Sequence, residues 1–167
     1  MFKRAKDQDQ RDEALDINRS FIVQAPAGSG KTELLSLRYM KLLANVDEPE
    51  AVLAITFTRK AAAEMRARVI ESIQKAKELV RKHGEESLSR DDASHPVVDE
   101  QVRRNFRIAH KVIKQDQEKQ WNLERNPGRL RIQTIDSFNI YLANQLPIAS
   151  RIGGDLSVTT ETKPIFN

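Results

Sequence analysis

Apolar and polar positions along this chain change period from one segment to the next, and the changes predict strands alternating with helices. Phe21-Ile22-Val23 is a continuous apolar run within Ser20 to Gln24, the pattern of a central parallel strand buried on both faces. A short charged helix over Gln8 to Ile17 is expected to lead into it. Leu34, Leu35, Leu37, Met40, Leu42 and Leu43 make the next segment apolar around much of a helical girth. A turn at Asp47 to Glu50 precedes a second apolar run, Ala51 to Ile55, that reads as another buried strand. From Arg59 to about Lys82, the residues Met65, Val69, Ile73, Ala76 and Val80 recur at helical spacing, and Gly84 is placed to cap that helix.

Beyond the polar, breaker-rich stretch Glu85 to Pro96, a second amphipathic helix is marked by Val98, Val102, Phe106, Ala109 and Ile113. Asn126-Pro127-Gly128 reads as a turn and Leu130 to Thr134 as a short third strand. Phe138, Tyr141, Leu142 and Leu146 then sit on a helix for which Asp136 or Ser137 is the expected cap. Pro147 closes that helix, and Leu156 to Thr160 is expected to be extended. The alternation argues for one α/β layer domain over 1–167, with a parallel sheet of about three strands and a helical insert at about 84–129. A sheet that small leaves an exposed edge, so the chain is expected to be a piece of something larger.

Composition narrows the class without naming a function. Charged residues make up 31% and hydrophobic ones 39%, the balance of a soluble globular protein with much exposed helix. The absence of cysteine excludes disulfides and cysteine-ligated zinc, and no leader-like or membrane-length apolar stretch is present. A cytoplasmic protein without membrane contact is the expectation. The net charge of +4 hints at an anionic partner. Two stretches carry the bias: eight Lys or Arg against three Glu between Arg59 and Lys82, and nine against three acids between Arg103 and Arg131. Such runs are also what solvated helix faces look like.

The sharpest chemical signal is Ala25 to Thr32, APAGSGKT, directly behind the first apolar run. It meets the phosphate-loop pattern GxxxxGK[ST] with Ala25 in place of the first glycine. Ala25, Pro26, Ala27, Gly28, Ser29 and Gly30 would form the turn. N–H groups from Gly28 to Thr32 would wrap a β-phosphate at the positive end of the following helix. Lys31 would reach the β/γ oxygens, and the Thr32 hydroxyl would hold Mg²⁺. Farther on, Thr56 to Arg68 (TFTRKAAAEMRAR) leaves the carboxyl end of the second strand, where ligands of open α/β sheets bind. Phe57 there is either a core residue or an exposed stacking face for a base. Thr56, Thr58, Arg59 and Lys60 supply hydroxyl and cationic donors suited to a phosphodiester backbone.

These segments, followed by TIDSF at Thr134 to Phe138, stand in the order found in superfamily 1 DNA helicases. The chain resembles the UvrD/Rep type, in particular the RecB/AddA-like branch that includes exodeoxyribonuclease V beta-subunit-like proteins. The resemblance implies a partial RecA-like P-loop NTPase domain, the N-terminal part of the first motor domain of an ATP-dependent 3′ to 5′ helicase in DNA repair and recombination. It implies ATP and Mg²⁺ at Lys31 and Thr32, with Gln10 of DQDQR reading adenine and Gln8 as its rival. It implies single-stranded DNA contacts at Thr56, Phe57, Thr58, Arg59 and Lys60 and at Thr134, Ile135, Asp136, Ser137 and Phe138. The implied partners are single-stranded and duplex DNA, the remaining helicase domains of the same chain, and a helicase-nuclease subunit.

A working member also needs an aspartate-glutamate pair at a strand end and an arginine from a second lobe. Only Val97-Val98-Asp99-Glu100 imitates the acidic pair, and it runs straight into a predicted helix. The chain alone is therefore expected to bind nucleotide weakly and to hydrolyse it slowly or not at all. Two other classes carry the same loop: a nucleotide kinase or transferase, and a DNA-binding module whose loop is vestigial. His83, His95 and His110 lack metal-ligand spacing, and Trp121 is expected to pack rather than to stack on a base.

Overall fold

A computed structural model of the chain describes residues 7–85 and 100–145. The elements in order are α1 (Gln8–Ala14), α2 (Lys31–Leu43), β1 (Leu53–Thr56), α3 (Arg59–His83), α4 (Glu100–Glu118), β2 (Arg131–Thr134) and α5 (Ile135–Gln145), with single 3₁₀ turns at Pro49–Ala51 and Pro127–Arg129. The expectations at Leu146 and at Leu156 to Thr160 lie outside the described residues, as does most of the stretch from Glu85 to Pro96.

The strands β1 and β2 pair in parallel, Leu53 opposite Arg131 and Thr56 opposite Thr134. Helix α3 packs against both strands, and α2 and α4 pack against α3 and each other. The helical periodicity read from the sequence meets that packing closely. Ala62, Met65, Val69, Ile73 and Ala76 of α3 are buried, with Val80 half-buried at its end. They meet Leu37, Met40 and Leu43 of α2 and Phe106, Ala109, Val112 and Ile113 of α4 in one core. Gly84 ends α3 at φ +74, a backbone conformation that L side chains resist, and its N–H bonds the Val80 carbonyl at 2.8 Å.

The sheet departs from expectation. Among the described residues it has two strands rather than three, because Ser20 to Gln24 forms no strand. A parallel strand needs a ladder partner, and none of that segment's backbone joins β1 or β2. The neighbouring backbone finds side-chain donors instead. The Arg38 guanidinium donates to the carbonyls of Ala14 and Asp16 at 2.7 Å each and of Arg19 at 2.6 Å. Arg38 and Arg19 also flank the Phe21 ring, 5.3 and 5.1 Å from its centroid. Ile22 is left 99% exposed and Val23 39%. Strand β1 is likewise open on one face, since Leu53 and Ile55 remain exposed while helix α3 covers the other. The first helix is shorter than expected, ending at Ala14 rather than Ile17.

Trp121 packs, as expected. It is buried, and its indole N–H donates to the Asp47 carbonyl at 3.0 Å.

Candidate functional site: a phosphate loop and a paired strand-to-helix edge

The loop at Ala25 to Thr32 turns through left-handed glycines, Gly28 at φ +76 and Gly30 at φ +82, and Gly30 is the N-cap of α2. No side chain caps α2, so the N–H groups of its first turn are left to an external acceptor. Lys31, the first residue of α2, folds back so that its ammonium donates to the carbonyls of Ala25 at 2.5 Å and Pro26 at 2.6 Å. Thr32 is exposed beside it. A cavity of about 270 Å³ opens next to the loop, with Gln10, Arg11, Phe21, Val23, Ala25 and Lys31 among its walls. Gln10 thus faces the loop's cavity. Gln8 lies on a different side, where its amide bonds Asp12 Oδ1 at 2.8 Å.

Sequence reasoning passed over Arg11, which reaches the loop more directly than either glutamine. Its Nη2 donates to the Ser29 carbonyl at 2.5 Å, while Nε donates to Asp7 Oδ2 at 2.9 Å. The hydrogen bond from this guanidinium is the main cause holding the Asp7 carboxyl below its ordinary range. An arginine beside Gln10 was the only signal in the sequence.

The second half of the site is at the carboxyl end of the sheet. β1 passes through Phe57 into α3, and β2 passes without a break into α5. Threonines cap both helices: Thr58 Oγ1 accepts from Ala61 N at 3.1 Å, and Thr134 Oγ1 accepts from Ser137 N at 3.2 Å. The expected cap of α5, Asp136 or Ser137, is therefore corrected to Thr134. A helix beginning at Ile135 needs its capping oxygen one residue earlier, and Asp136 and Ser137 already lie within its first turn. Because Thr56 is in register with Thr134, residues separated by 78 positions in sequence stand on adjacent strands at one height. Phe57 is 91% exposed, which excludes the core alternative. Thr58, Arg59, Lys60, Ile135, Asp136 and Ser137 are exposed around it, and Phe138 is half-buried.

The caps give a stability expectation. Thr58→Ala should lower unfolding free energy by about 1 kcal/mol, and Thr58→Ser should restore most of it. Urea denaturation followed by circular dichroism checks this, and an unshifted midpoint in Thr58→Ala would rule out a capping role.

Comparison with known proteins fits this arrangement. The family model of the UvrD/REP helicase N-terminal domain matches residues 6–162. The chain belongs to this family. An ATP-dependent helicase/nuclease subunit of Desulfitobacterium hafniense is 44% identical over 66 residues, covering 38% of this chain and 5% of the relative. The protein of that name from Clostridium beijerinckii is 43% identical over 61 residues, 35% of this chain and 5% of the relative. An ATP-dependent DNA helicase PcrA from Staphylococcus epidermidis is 55% identical over 49 residues, 29% of this chain and 7% of the relative. The chain thus matches only a small part of the length of these relatives. No solved structure gives a significant match.

Within this UvrD/REP domain, Glu100 opens α4 rather than closing a strand, and Val97 to Asp99 lie outside the described residues. No group of His, Cys, Asp or Glu that could hold a metal ion occurs among the described residues. None of their helices is long and apolar enough to cross a membrane.

Proposed function

We propose that this UvrD/REP domain is the ATP-binding and single-stranded-DNA-contacting part of an ATP-dependent 3′ to 5′ DNA helicase, belonging to a helicase-nuclease of DNA repair and recombination. The observation that carries the reading is the register of β1 and β2, which sets TFTRK and TIDSF side by side at the carboxyl edge of one sheet. In this proposal residues 1–167 are the N-terminal portion of a RecA-like first motor domain, with 84–129 as its helical insert. The rest of the motor and a partner helicase-nuclease subunit complete the enzyme. That named relatives are helicase/nuclease subunits supports the assignment.

The loop fits a nucleoside triphosphate with Mg²⁺. The left-handed Gly28 and Gly30 and the uncapped start of α2 offer N–H groups for the β-phosphate. Lys31 would exchange its two carbonyl partners for phosphate oxygens, a stronger charge-assisted contact. Thr32 would hold Mg²⁺, which supplies charge neutralisation at the phosphates. Gln10, on the cavity wall, would read the base. At the other edge Phe57 would stack on a base while Arg59 and Lys60 meet phosphates beside the N-terminal ends of α3 and α5. Thr58 and Thr134 accept the capping N–H groups through Oγ1, which fixes those helix ends, and the exposed Thr58 hydroxyl would still donate its proton to a phosphate oxygen.

Fluorescence anisotropy with a labelled oligonucleotide tests the DNA face. Phe57→Ala should weaken binding by about 1–3 kcal/mol, the usual value of one stacked base, with no cost in stability because the ring is exposed. Arg59→Ala should reduce the salt dependence of binding, by a slope of roughly 0.7 for each phosphate that is no longer neutralised. Nucleotide binding should survive both changes. Equal loss of DNA and nucleotide binding would point to misfolding, and full retention of DNA binding would remove this edge from the interface.

A further inference from the structure

Arg11 bridges a flanking helix to the phosphate loop. Its side chain is 24% exposed and makes two kinds of contact at once, to the Asp7 carboxylate and to the Ser29 carbonyl. It also lies flat against the turn: a Cβ built on Gly30 would come within 3.1 Å of Arg11 Nη1. Gly30 is required by its φ of +82, and a side chain there would also press on the guanidinium. The helix carrying Arg11 is held independently of the loop. Ala14 and Leu15 are buried, Arg38 binds the carbonyls of Ala14 and Asp16, and Arg104 of α4 forms an ion pair with Asp12.

A phosphate loop works when its N–H groups converge on the anion and its carbonyls point elsewhere. Three carbonyls of this loop have cationic partners. Lys31 engages those of Ala25 and Pro26, and it is also the residue expected to turn to the phosphates. Arg11 engages that of Ser29, between the two left-handed glycines. We propose that Arg11 is a positioning residue of the phosphate loop: oriented by Asp7, its guanidinium engages the Ser29 carbonyl from α1 and sets the Gly28 to Thr32 amides for a triphosphate. The proposal rests on the reading of this loop as a nucleotide site. The planar fork meets the two partners with separate nitrogens, Nε on the carboxylate and Nη2 on the carbonyl, an arrangement that a lysine's single nitrogen does not reproduce.

The test uses the full 167-residue chain with ATP, GTP and inorganic tripolyphosphate as probes, each with Mg²⁺. Arg11→Ala should weaken all three by a similar factor, on the order of tenfold, since the loop rather than the base is affected. Arg11→Lys should rescue little. Without any nucleotide, amide hydrogen exchange across residues 28–32 should accelerate in Arg11→Ala while the melting temperature stays close to that of the parent. Loss confined to ATP would overturn the proposal in favour of base reading, and full rescue by lysine would reduce Arg11 to a point charge. A fall in melting temperature with matching loss of DNA binding would make its role merely structural. A parent chain that binds none of the probes would overturn the nucleotide-site reading and this assignment together. A parent that binds them only as tightly as Arg11→Ala does would overturn this assignment alone.

Discussion

Lys31→Ala is expected to weaken triphosphate binding by about 3 kcal/mol, on the order of a hundredfold in Kd, while leaving the fold intact. The two halves of this expectation have separate physical origins. An ammonium at the first residue of α2 sits at the positive end of the helix dipole, an arrangement that disfavours folding by roughly 0.3–1 kcal/mol. Its bonds to the carbonyls of Ala25 and Pro26 offset that cost, so removing the side chain changes stability little. A bound triphosphate would reverse the sign, because the same ammonium then meets anionic oxygens where N–H groups already converge. A residue that breaks a local rule of helix electrostatics without gain to the fold is where function is expected. Titration calorimetry with ATP and Mg²⁺ measures the loss, and a parallel thermal melt measures the retention. Unchanged nucleotide binding in Lys31→Ala would mean that the loop is vestigial and the chain a DNA-binding module.

That contrast also explains which features could be read before the fold was known. The phosphate loop is local chemistry, and eight consecutive residues carry it. Helices α3 and α4 are nearly as legible, since each buries one face and the spacing of Met65, Val69, Ile73 and Ala76, or of Phe106, Ala109 and Ile113, records that face. Phe21-Ile22-Val23 carries an equally clear strand signal, yet forms no strand among the described residues. Periodicity reports what a segment would bury, whereas a parallel strand also requires a neighbour to complete its ladder. Phe57 is ambiguous from the opposite side: composition alone leaves a phenylalanine there open to burial or exposure, and the strand-to-helix turn that projects it into solvent decides between them.

The contacts that hold the site were the least legible. Arg11 meets Ser29 across 18 positions, and Arg66 donates to the Ile132 carbonyl at 2.5 Å across 66. Neither residue differs in type or spacing from the solvated arginines around it. Only topology separates them. The basic excess from Arg59 to Lys82 likewise divides in the fold: Arg59 and Lys60 are exposed at the sheet edge, whereas Lys75, Lys77 and Lys82 form ion pairs with Glu71, Glu124 and Glu78. Net charge therefore overstated the surface available to an anionic partner.

Trp121→Ala is expected to have the largest effect on the fold, a loss of about 3–5 kcal/mol. The side chain is 1% exposed, and its indole holds the segment after α4 against the chain ahead of β1. Gln120 and Asn122 on either side adopt φ of 55° and 57°, a left-handed conformation that asparagine enters readily and glutamine seldom does without support from neighbouring contacts. Those contacts are specific. The Trp121 N–H bonds the Asp116 carbonyl at 3.1 Å, and the buried Asp116 carboxylate accepts from Leu123 N at 3.0 Å. The indole N–H, Lys119 and Gln115 together tie the end of α4 to Val46 and Asp47 ahead of β1. Removing the ring empties a site lined by the core and releases the left-handed Gln120, against a total stability that for a domain this size is only about 5–15 kcal/mol. Trp121→Phe should cost less. It keeps most of the apolar surface, and the Asp47 carbonyl belongs to an exposed residue within reach of water. Because the chain has a single tryptophan, its fluorescence reports the same environment directly: emission should be blue-shifted in the native state and move to the red with the urea transition. If Trp121→Ala instead unfolds at the parent midpoint and loses oligonucleotide binding, the residue is a base-stacking platform and the packing account of this segment fails.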